Sequence, residues 1–547
     1  MTKDNADNIL DVIVVGAGFS GLHTLHEFLK KDYKARLFDD GEGPGGTWDK
    51  NWYPGARVDS EIWVYQFTDP DLWQNFSFSE KFPGWRELAK YFNFVADRWN
   101  LRPHMTFRTR LVGATFDEGA CIWTARFSDG ATHRARHLVL TMGSTTTPVL
   151  PDISGRDGFG GELYHTARWP RTGVSFRGKR VAIVGTGASG VQAIQEAGRD
   201  ADQLTVFQRT PNLTLPMGQE RYSIDEYDKL KPLMDAAMAR SRETFGGFAY
   251  DLIYRPWKEF SEAEKQATLR WNWEQKGFRF WLGAPLDLFF DAECNRDHYN
   301  FWRDETRKRI KKEHLVELLA PTEPPHPFGA KRPCLEQWYF DLYNEDNVEL
   351  VDVNAHPIER ITETGIVAGG VEREFDMIVF ATGFDNCTGA IGALDIRDAQ
   401  GRTIGDVWAE KYLTYMGKMV PGFPNLLFTY ALQSPSAFLN GPTAGELEGD
   451  WVVKAVMHLD QAGVRRYDAK PEAAHAWAQK CNDVANASLL PLAKSWYMGA
   501  NVPGKRPEIQ PFIGGQPAYR AAIYEELESG FPNLVLRTEV AANAAAE

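Results

Sequence analysis

Cysteine is scarce in this chain. The five thiols among 547 residues, Cys121, Cys294, Cys334, Cys387 and Cys481, stand far apart and are odd in number. A disulfide scaffold is excluded, and no pair has the spacing of a zinc ligand set or a dithiol redox centre. Separate reduced thiols are expected, as in a cytoplasmic protein. Long apolar runs are also lacking. The run at 12–15 is broken at once by Gly16, far short of the ~20 apolar residues of a membrane span. The opening MTKDNADNIL is polar and acidic, where a secretory leader is basic and then apolar. Positive charge is in deficit: 61 Lys and Arg face 74 Asp and Glu, a net charge of −13, which opposes generic nucleic-acid binding. What is plentiful is apolar and aromatic: 43% hydrophobic residues, with 18 Trp, 19 Tyr and 33 Phe. Such a chain buries large cores and suits flat cofactors and apolar ligands.

One pattern occurs twice. A short β-branched run leads into Gly-x-Gly-x-x-Gly at DVIVVGAGFSG and again at RVAIVGTGASG. The glycines are Gly16, Gly18 and Gly21, then Gly185, Gly187 and Gly190. Each motif precedes a helical stretch and a second strand, at 35–38 and 204–207. This is the start of a βαβ unit, and its glycines serve a tight turn, close approach to a pyrophosphate, and close helix–strand packing. The helix N-terminus then offers unpaired N–H groups to the anion. Two such motifs predict two bound dinucleotides. Asp39, 18 residues after Gly21, is placed to accept hydrogen bonds from a ribose 2′-hydroxyl and would repel a phosphate. The matching region after the second motif reads Phe207-Gln208-Arg209-Thr210. A cation and a hydroxyl there favour a 2′-phosphate, hence NADP over NAD.

Between about 222 and 319 the texture changes to charged, aromatic-studded segments. Ser223 with Glu226 and Ser261 with Glu264 fit the capping box of helix starts, so a mainly helical insertion is expected. The basic run Arg307, Lys308, Arg309, Lys311 and Lys312 reads as a solvated helix face. The β pattern resumes at 348–351 and in FDMIVFATGFD, whose loop Ala381-Thr382-Gly383 has little side chain and can approach a cofactor. The alanine-rich tail from Ala541 is expected to fray.

Between the two motifs lies FGGELYHTARWP, with Phe159, Gly161, His165, Trp169 and Pro170. It closely resembles the fingerprint of the type I Baeyer–Villiger monooxygenases, Phe-x-Gly-x-x-x-His-x-x-x-Trp-Pro/Asp. The related N- and S-oxidising enzymes usually carry Tyr or Phe where Trp169 stands. GGTWDKNWYPGARVDSE, the AKRP around Lys331 and Arg332, PGFPNLLFTYALQSPSAFLNGPT and SWYMGANVPGK resemble the family as well, so the resemblance covers nearly the whole chain.

The resemblance implies an α/β fold with two Rossmann-like domains. The FAD domain would combine 1–153 with 387–547. The NADPH domain would take 154–386 and carry the insertion at about 222–319. It implies that Ser20, Asp39, Thr47, Trp48 and Tyr65 lie near FAD, with the loop at 45–48 against the flavin. Thr186, Gly187, Ala188, Ser189, Gly190 and Gln192 would cradle the NADP pyrophosphate, Arg209, Thr210 and Lys331 would meet the 2′-phosphate, and Trp496 would close over the nicotinamide. Arg332 matches the active-site arginine and Asp59 its carboxylate partner, both close to the cofactors. His165 and Trp169 would couple the domains through a linker. Asp49, Lys50 and Trp52 depart from the aromatic and Arg residues of many relatives. The implied reaction uses NADPH, FAD and dioxygen to form a flavin C4a-peroxide that inserts oxygen beside a ketone carbonyl, giving an ester or lactone. No nucleic acid, membrane or obligate protein partner is implied. A heteroatom-oxidising monooxygenase is the nearest alternative, and a non-catalytic NADPH-sensing module is one of a different class. The Trp-rich 270s and 280s and SPSAFLN at 434–440 either line the pocket or pack in the core.

Overall fold

A computed structural model describes residues 9–539. Most of the polar opening segment and the tail from Ala541 lie outside the described residues. The two glycine motifs stand at the centres of two different sheets. Leu10–Val15, buried on both faces apart from Asp11, pairs in parallel with Ala35–Phe38 on one side and Thr132–Leu140 on the other. Continuous apolar residues suit such a doubly covered strand. The whole sheet runs Asp395–Ile396, Leu111–Asp117, Ile122–Phe127, Thr132–Leu140, Leu10–Val15, Ala35–Phe38, Met105–Thr106, with Leu426–Phe428 added beside Thr132–Leu140.

The second sheet is wholly parallel: Val348–Asp352, Gln203–Gln208, Arg180–Val184, Met377–Phe380, Glu162–His165. In chain order, then, the backbone leaves the first sheet after Thr132–Leu140, builds the second between 162 and 380, and returns to the first at 395 and 426. The fingerprint supplies the edge strand Glu162–His165, beside Met377–Phe380. Helices Phe19–Leu29 and Ala188–Asp200 follow the two glycine loops.

Between Gln203–Gln208 and Val348–Asp352 come helices Ile224–Ser241, Glu262–Gln275, Ala292–Arg307 and Glu313–Leu319. Ser223 and Ser261 each close a complete capping box with Glu226 and Glu264. The basic run departs from expectation. The helix ends at Arg307; Lys308 and Lys311 are exposed as expected, but Arg309 and Lys312 are pinned. Arg309 pairs with the buried Glu336 at 2.5 Å and with Asp341 at 2.5 Å, and Lys312 donates to the Glu345 carbonyl at 2.7 Å. The run therefore fastens the insertion to the segment 336–345. All five cysteines are free and buried. Among the described residues no helix is long and apolar enough to cross a membrane.

Candidate active site

The six motif glycines divide by what requires them. A Cβ on Gly21 would lie 1.8 Å from the Gly16 carbonyl oxygen, and on Gly190 2.3 Å from that of Gly185. Gly16 and Gly185 have φ of +114° and +106°, conformations that favour glycine. Folding alone dictates these four. Gly18 and Gly187 are extended, at φ −83° and −71°. A Cβ on Gly18 would meet only the Gly46 Cα, at 3.7 Å, and one on Gly187 nothing among the described residues within 4 Å. Neither helix that follows has a side-chain cap on its first N–H groups. Both loops are thus open cradles with free donors, fitted to a pyrophosphate.

Around the first cradle, Asp39 follows the strand Ala35–Phe38 and accepts the Ala17 N–H at 2.7 Å and the Gly41 N–H at 2.6 Å. It braces the glycine loop. Lys50 pairs with Asp40 and lies 3.7 Å from Asp39. The loop at 45–48 lies directly on the motif: a Cβ on Gly46 would sit 2.8 Å from the Gly18 Cα. Ser20 is buried, with Gly445 against its backbone N–H. Thr47 is exposed, and Trp48 is buried and donates from Nε1 to the Tyr65 hydroxyl at 3.1 Å.

At the second cradle Gly187 and Ala188 are exposed and Ser189 is half-buried. Thr186 donates to the Thr210 carbonyl at 2.9 Å, tying the loop to the end of Gln203–Gln208. Gln192 accepts from the Tyr53 hydroxyl at 2.7 Å and donates to the Arg57 carbonyl at 3.0 Å, so it bridges to the segment that carries Asp59. Arg209 is exposed, Thr210 and Lys331 half-buried. Burial and the neighbouring Arg209 push Lys331 down to about 8. Two cations approach each other here, and among the described residues neither pairs with a carboxylate. An anion is the group that fits between them.

Arg332 is held by a fork. Its Nε and Nη2 donate to Asp59 at 3.2, 3.1 and 3.0 Å, and Nη1 donates to the Ala437 carbonyl at 2.8 Å. The guanidinium lies 4.9 Å over the Phe278 ring and 5.6 Å over Trp281. Burial opposes its charge, but Asp59 and the fork outweigh this and hold its pKa above the ordinary value. Phe438 packs on Trp281 at 5.4 Å, Phe289 at 5.5 Å and Tyr497 at 5.3 Å. Trp496, half-buried, meets Tyr497 edge-on at 4.6 Å. The Trp281 Nε1 and the Tyr497 hydroxyl are buried without partners among the described residues. The site is an aromatic cage with one fixed cation and two spare donors. Phe278, Trp281 and Phe438 come from segments whose role the sequence left open, and Tyr497 follows directly on Trp496.

The fingerprint residues lie at the join. The Phe159 ring packs where a Cβ on Gly161 would stand, 2.6 Å away. His165 accepts the Ala167 N–H at 3.0 Å and lies 3.4 Å from the Thr382 hydroxyl. Burial pushes its pKa down to about 4, so the ring is neutral. Trp169 packs on Tyr164 and Phe176 at 5.1 and 5.8 Å, and its carbonyl accepts from Trp52 Nε1 at 2.6 Å. Arg171 stacks 3.3 Å over Trp52 and pairs with Asp49 at 2.9 Å and Glu42 at 3.1 Å. Asp49 and Trp52 therefore face the linker after the fingerprint, and Lys50 faces Asp39 and Asp40.

Comparison with known proteins agrees with this geometry. The family model described as flavin-binding monooxygenase-like matches residues 10–224. Cyclopentanone 1,2-monooxygenase of Comamonas sp. (strain NCIMB 9872) is 45% identical over 534 residues, covering 98% of this chain and 97% of that protein. The chain belongs to the flavin-binding monooxygenases. Within them it is a type I Baeyer–Villiger enzyme, as the fingerprint implies. A structure of OTEMO in complex with FAD and NADP superposes with a TM-score of 0.92 at 32% identity, over 97% of this chain and 100% of that one. The phenazine N-monooxygenase PhzNO1 of Lysobacter antibioticus is 33% identical, over 98% of each chain. The monooxygenase scaffold is therefore shared with an enzyme named for oxidising nitrogen.

Proposed function

We propose that this Baeyer–Villiger monooxygenase converts compact, neutral ketones to esters or lactones, with Arg332 fixed by Asp59 as the centre of its chemistry. When bound, NADPH would supply the electrons and FAD would carry them to dioxygen. The observation that carries the reading is the forked guanidinium inside an aromatic cage. When oxygen adds to a carbonyl, negative charge builds on the former carbonyl oxygen. A preorganised cation in a dry site stabilises that charge without reorganising. Arginine stays ionised throughout, so its part is orientation and charge, and proton transfer falls elsewhere. Trp281 Nε1 and the Tyr497 hydroxyl are the spare donors beside it. The rings of Phe278, Trp281 and Phe438 exclude water and offer no partner to a charged substrate.

The cofactor assignment follows the cradles. Residues 1–153 and 387–547 form the FAD part, with Gly18, Ser20, Asp39, Trp48 and Tyr65 around the flavin nucleotide. Residues 154–386 form the NADPH part, with the insertion inside it. Arg209, Thr210 and Lys331 take the 2′-phosphate, and Trp496 covers the nicotinamide end. The protein works in the cytoplasm on a small ketone and dioxygen; its five free, buried thiols fit that compartment.

A panel of cyclic, linear and aryl ketones beside amines and sulfides, scored by product and by NADPH consumed, tests the reaction. Oxidation of the amines with no ester from any ketone would replace this reading with the nitrogen-oxidising one. Ester formation also disposes of a non-catalytic sensor.

Two further outcomes follow from the 2′-phosphate site. NADPH is preferred over NADH, and Arg209→Ala and Lys331→Ala each lower the preference about ten- to a hundredfold, mainly through KM. Equal use of both nucleotides by the unaltered enzyme contradicts the assignment. The preference also depends on pH. Lys331 is charged below about 8 and loses its proton above it, so kcat/KM for NADPH falls as pH rises through that value. The value for NADH does not follow. Lys331→Arg flattens the NADPH profile, because its guanidinium keeps its charge.

A further inference from the structure

Lys418 and Glu448 form an ion pair with both side chains at 0% exposure, the only such pair among the described residues. Taking two charges out of water is unfavourable, and two apolar side chains of similar volume often serve stability equally well. The pair is not even fully satisfied: Glu448 Oε1 is buried without a partner among the described residues. Stability is a poor account of its presence, and the geometry offers a better one.

Glu448 stands on the helix Gly441–Gln461. The oxygen that accepts from Lys418, Oε2, also accepts the backbone N–H of Tyr430 at 2.9 Å. Tyr430 has φ +53°, a left-handed conformation that a bulky residue keeps only where its surroundings impose it. Its hydroxyl donates to the Ser436 carbonyl at 2.7 Å. The next carbonyl along the chain, Ala437, is the one that accepts from Arg332 Nη1 at 2.8 Å. Between these points Gln433, also left-handed at φ +62°, is clamped through Oε1 by the Thr414 N–H at 3.0 Å and hydroxyl at 2.8 Å. Hydrogen bonds and one step of backbone, from Ser436 to Ala437, thus connect the buried pair to the guanidinium.

We propose that Lys418 and Glu448 are positioning residues for Arg332. Glu448, held by Lys418, fixes Tyr430 in its left-handed turn. The Tyr430 hydroxyl then places the segment 436–437, and the Ala437 carbonyl aims the arginine. Neither member of the pair touches substrate or cofactor. The inference rests on the reading of Arg332 given above.

Two double variants test it. Lys418→Met with Glu448→Gln and Lys418→Met with Glu448→Leu both remove the charges at nearly constant volume. They differ in whether an oxygen remains for the Tyr430 N–H. Both should fold and stay yellow. Ester formed per NADPH consumed should stay within about twofold of the parent in the Gln variant, since a neutral isostere can replace a buried pair. In the Leu variant it should fall about tenfold, the scale of one buried donor left unsatisfied, with hydrogen peroxide making up the difference. Tyr430→Phe, which leaves the core pair intact, should also uncouple. A purely structural pair would lower Tm equally in both doubles and leave coupling the same. Equal coupling in the two doubles overturns the proposal. If the Leu double does not fold, Tyr430→Phe decides, and parental coupling there overturns the relay. Arg332→Ala is measured alongside. If that variant stays coupled, the underlying reading has failed; if it uncouples while the Leu double does not, only the positioning role has failed.

Discussion

Arg332→Ala yields a yellow protein that still consumes NADPH but makes almost no ester, releasing hydrogen peroxide instead. The expectation is electrostatic. The ground-state ketone is neutral, and charge appears on its oxygen only as the reaction proceeds, so a fixed guanidinium favours the transition state over the bound substrate. Removing one oxyanion donor elsewhere costs about 10²–10³ in rate, or about 2.7–4 kcal/mol. A charged donor held against aromatic rings should cost at least that. Asp59→Ala is milder, because Arg332 stays but keeps only its bond to the Ala437 carbonyl. Product per NADPH and peroxide per NADPH are the quantities to measure. Near-normal ester from the Arg332 variant would end the positioned-cation account and bring the heteroatom-oxidising reading forward.

Gly187→Val leaves FAD bound and abolishes flavin reduction by NADPH, whereas Gly18→Val yields colourless protein. Both glycines have extended backbones that valine adopts without strain, and both cradles have room for its Cβ. The fold therefore tolerates the change, and the methyl groups occupy the space into which a pyrophosphate would come. Losing that approach should weaken each nucleotide at least a hundredfold, about 2.8 kcal/mol. Flavin absorbance after purification and the anaerobic bleaching rate with NADPH separate the two sites. Loss of FAD from both variants would show that the motifs have been divided wrongly between the cofactors. The same change at Gly21 or Gly190 serves as contrast, since a Cβ there strikes backbone oxygen at 1.8 or 2.3 Å and damages the fold itself.

The parts of this molecule legible from residues alone are those set by short-range chemistry. β-branched runs, glycine spacing and Ser-x-x-Glu capping boxes act within about ten residues, and each stands in the structure where its pattern put it. The active site is of another kind. Arg332 and Asp59 are 273 positions apart, the Ala437 carbonyl is 105 positions from Arg332, and no local pattern marks either pairing. Likeness to a family pointed to the first. The chain itself carries no sign of the second, or of Lys418 meeting Glu448. The basic run after 307 shows the same limit. Its spacing reads as a solvated face, because the Glu336 and Asp341 that neutralise Arg309 are brought there by the packing of the insertion against the second sheet. Local dihedral and capping preferences are properties of neighbouring residues. Ion pairs, cages and the aim of a guanidinium depend on which distant surfaces the core brings together.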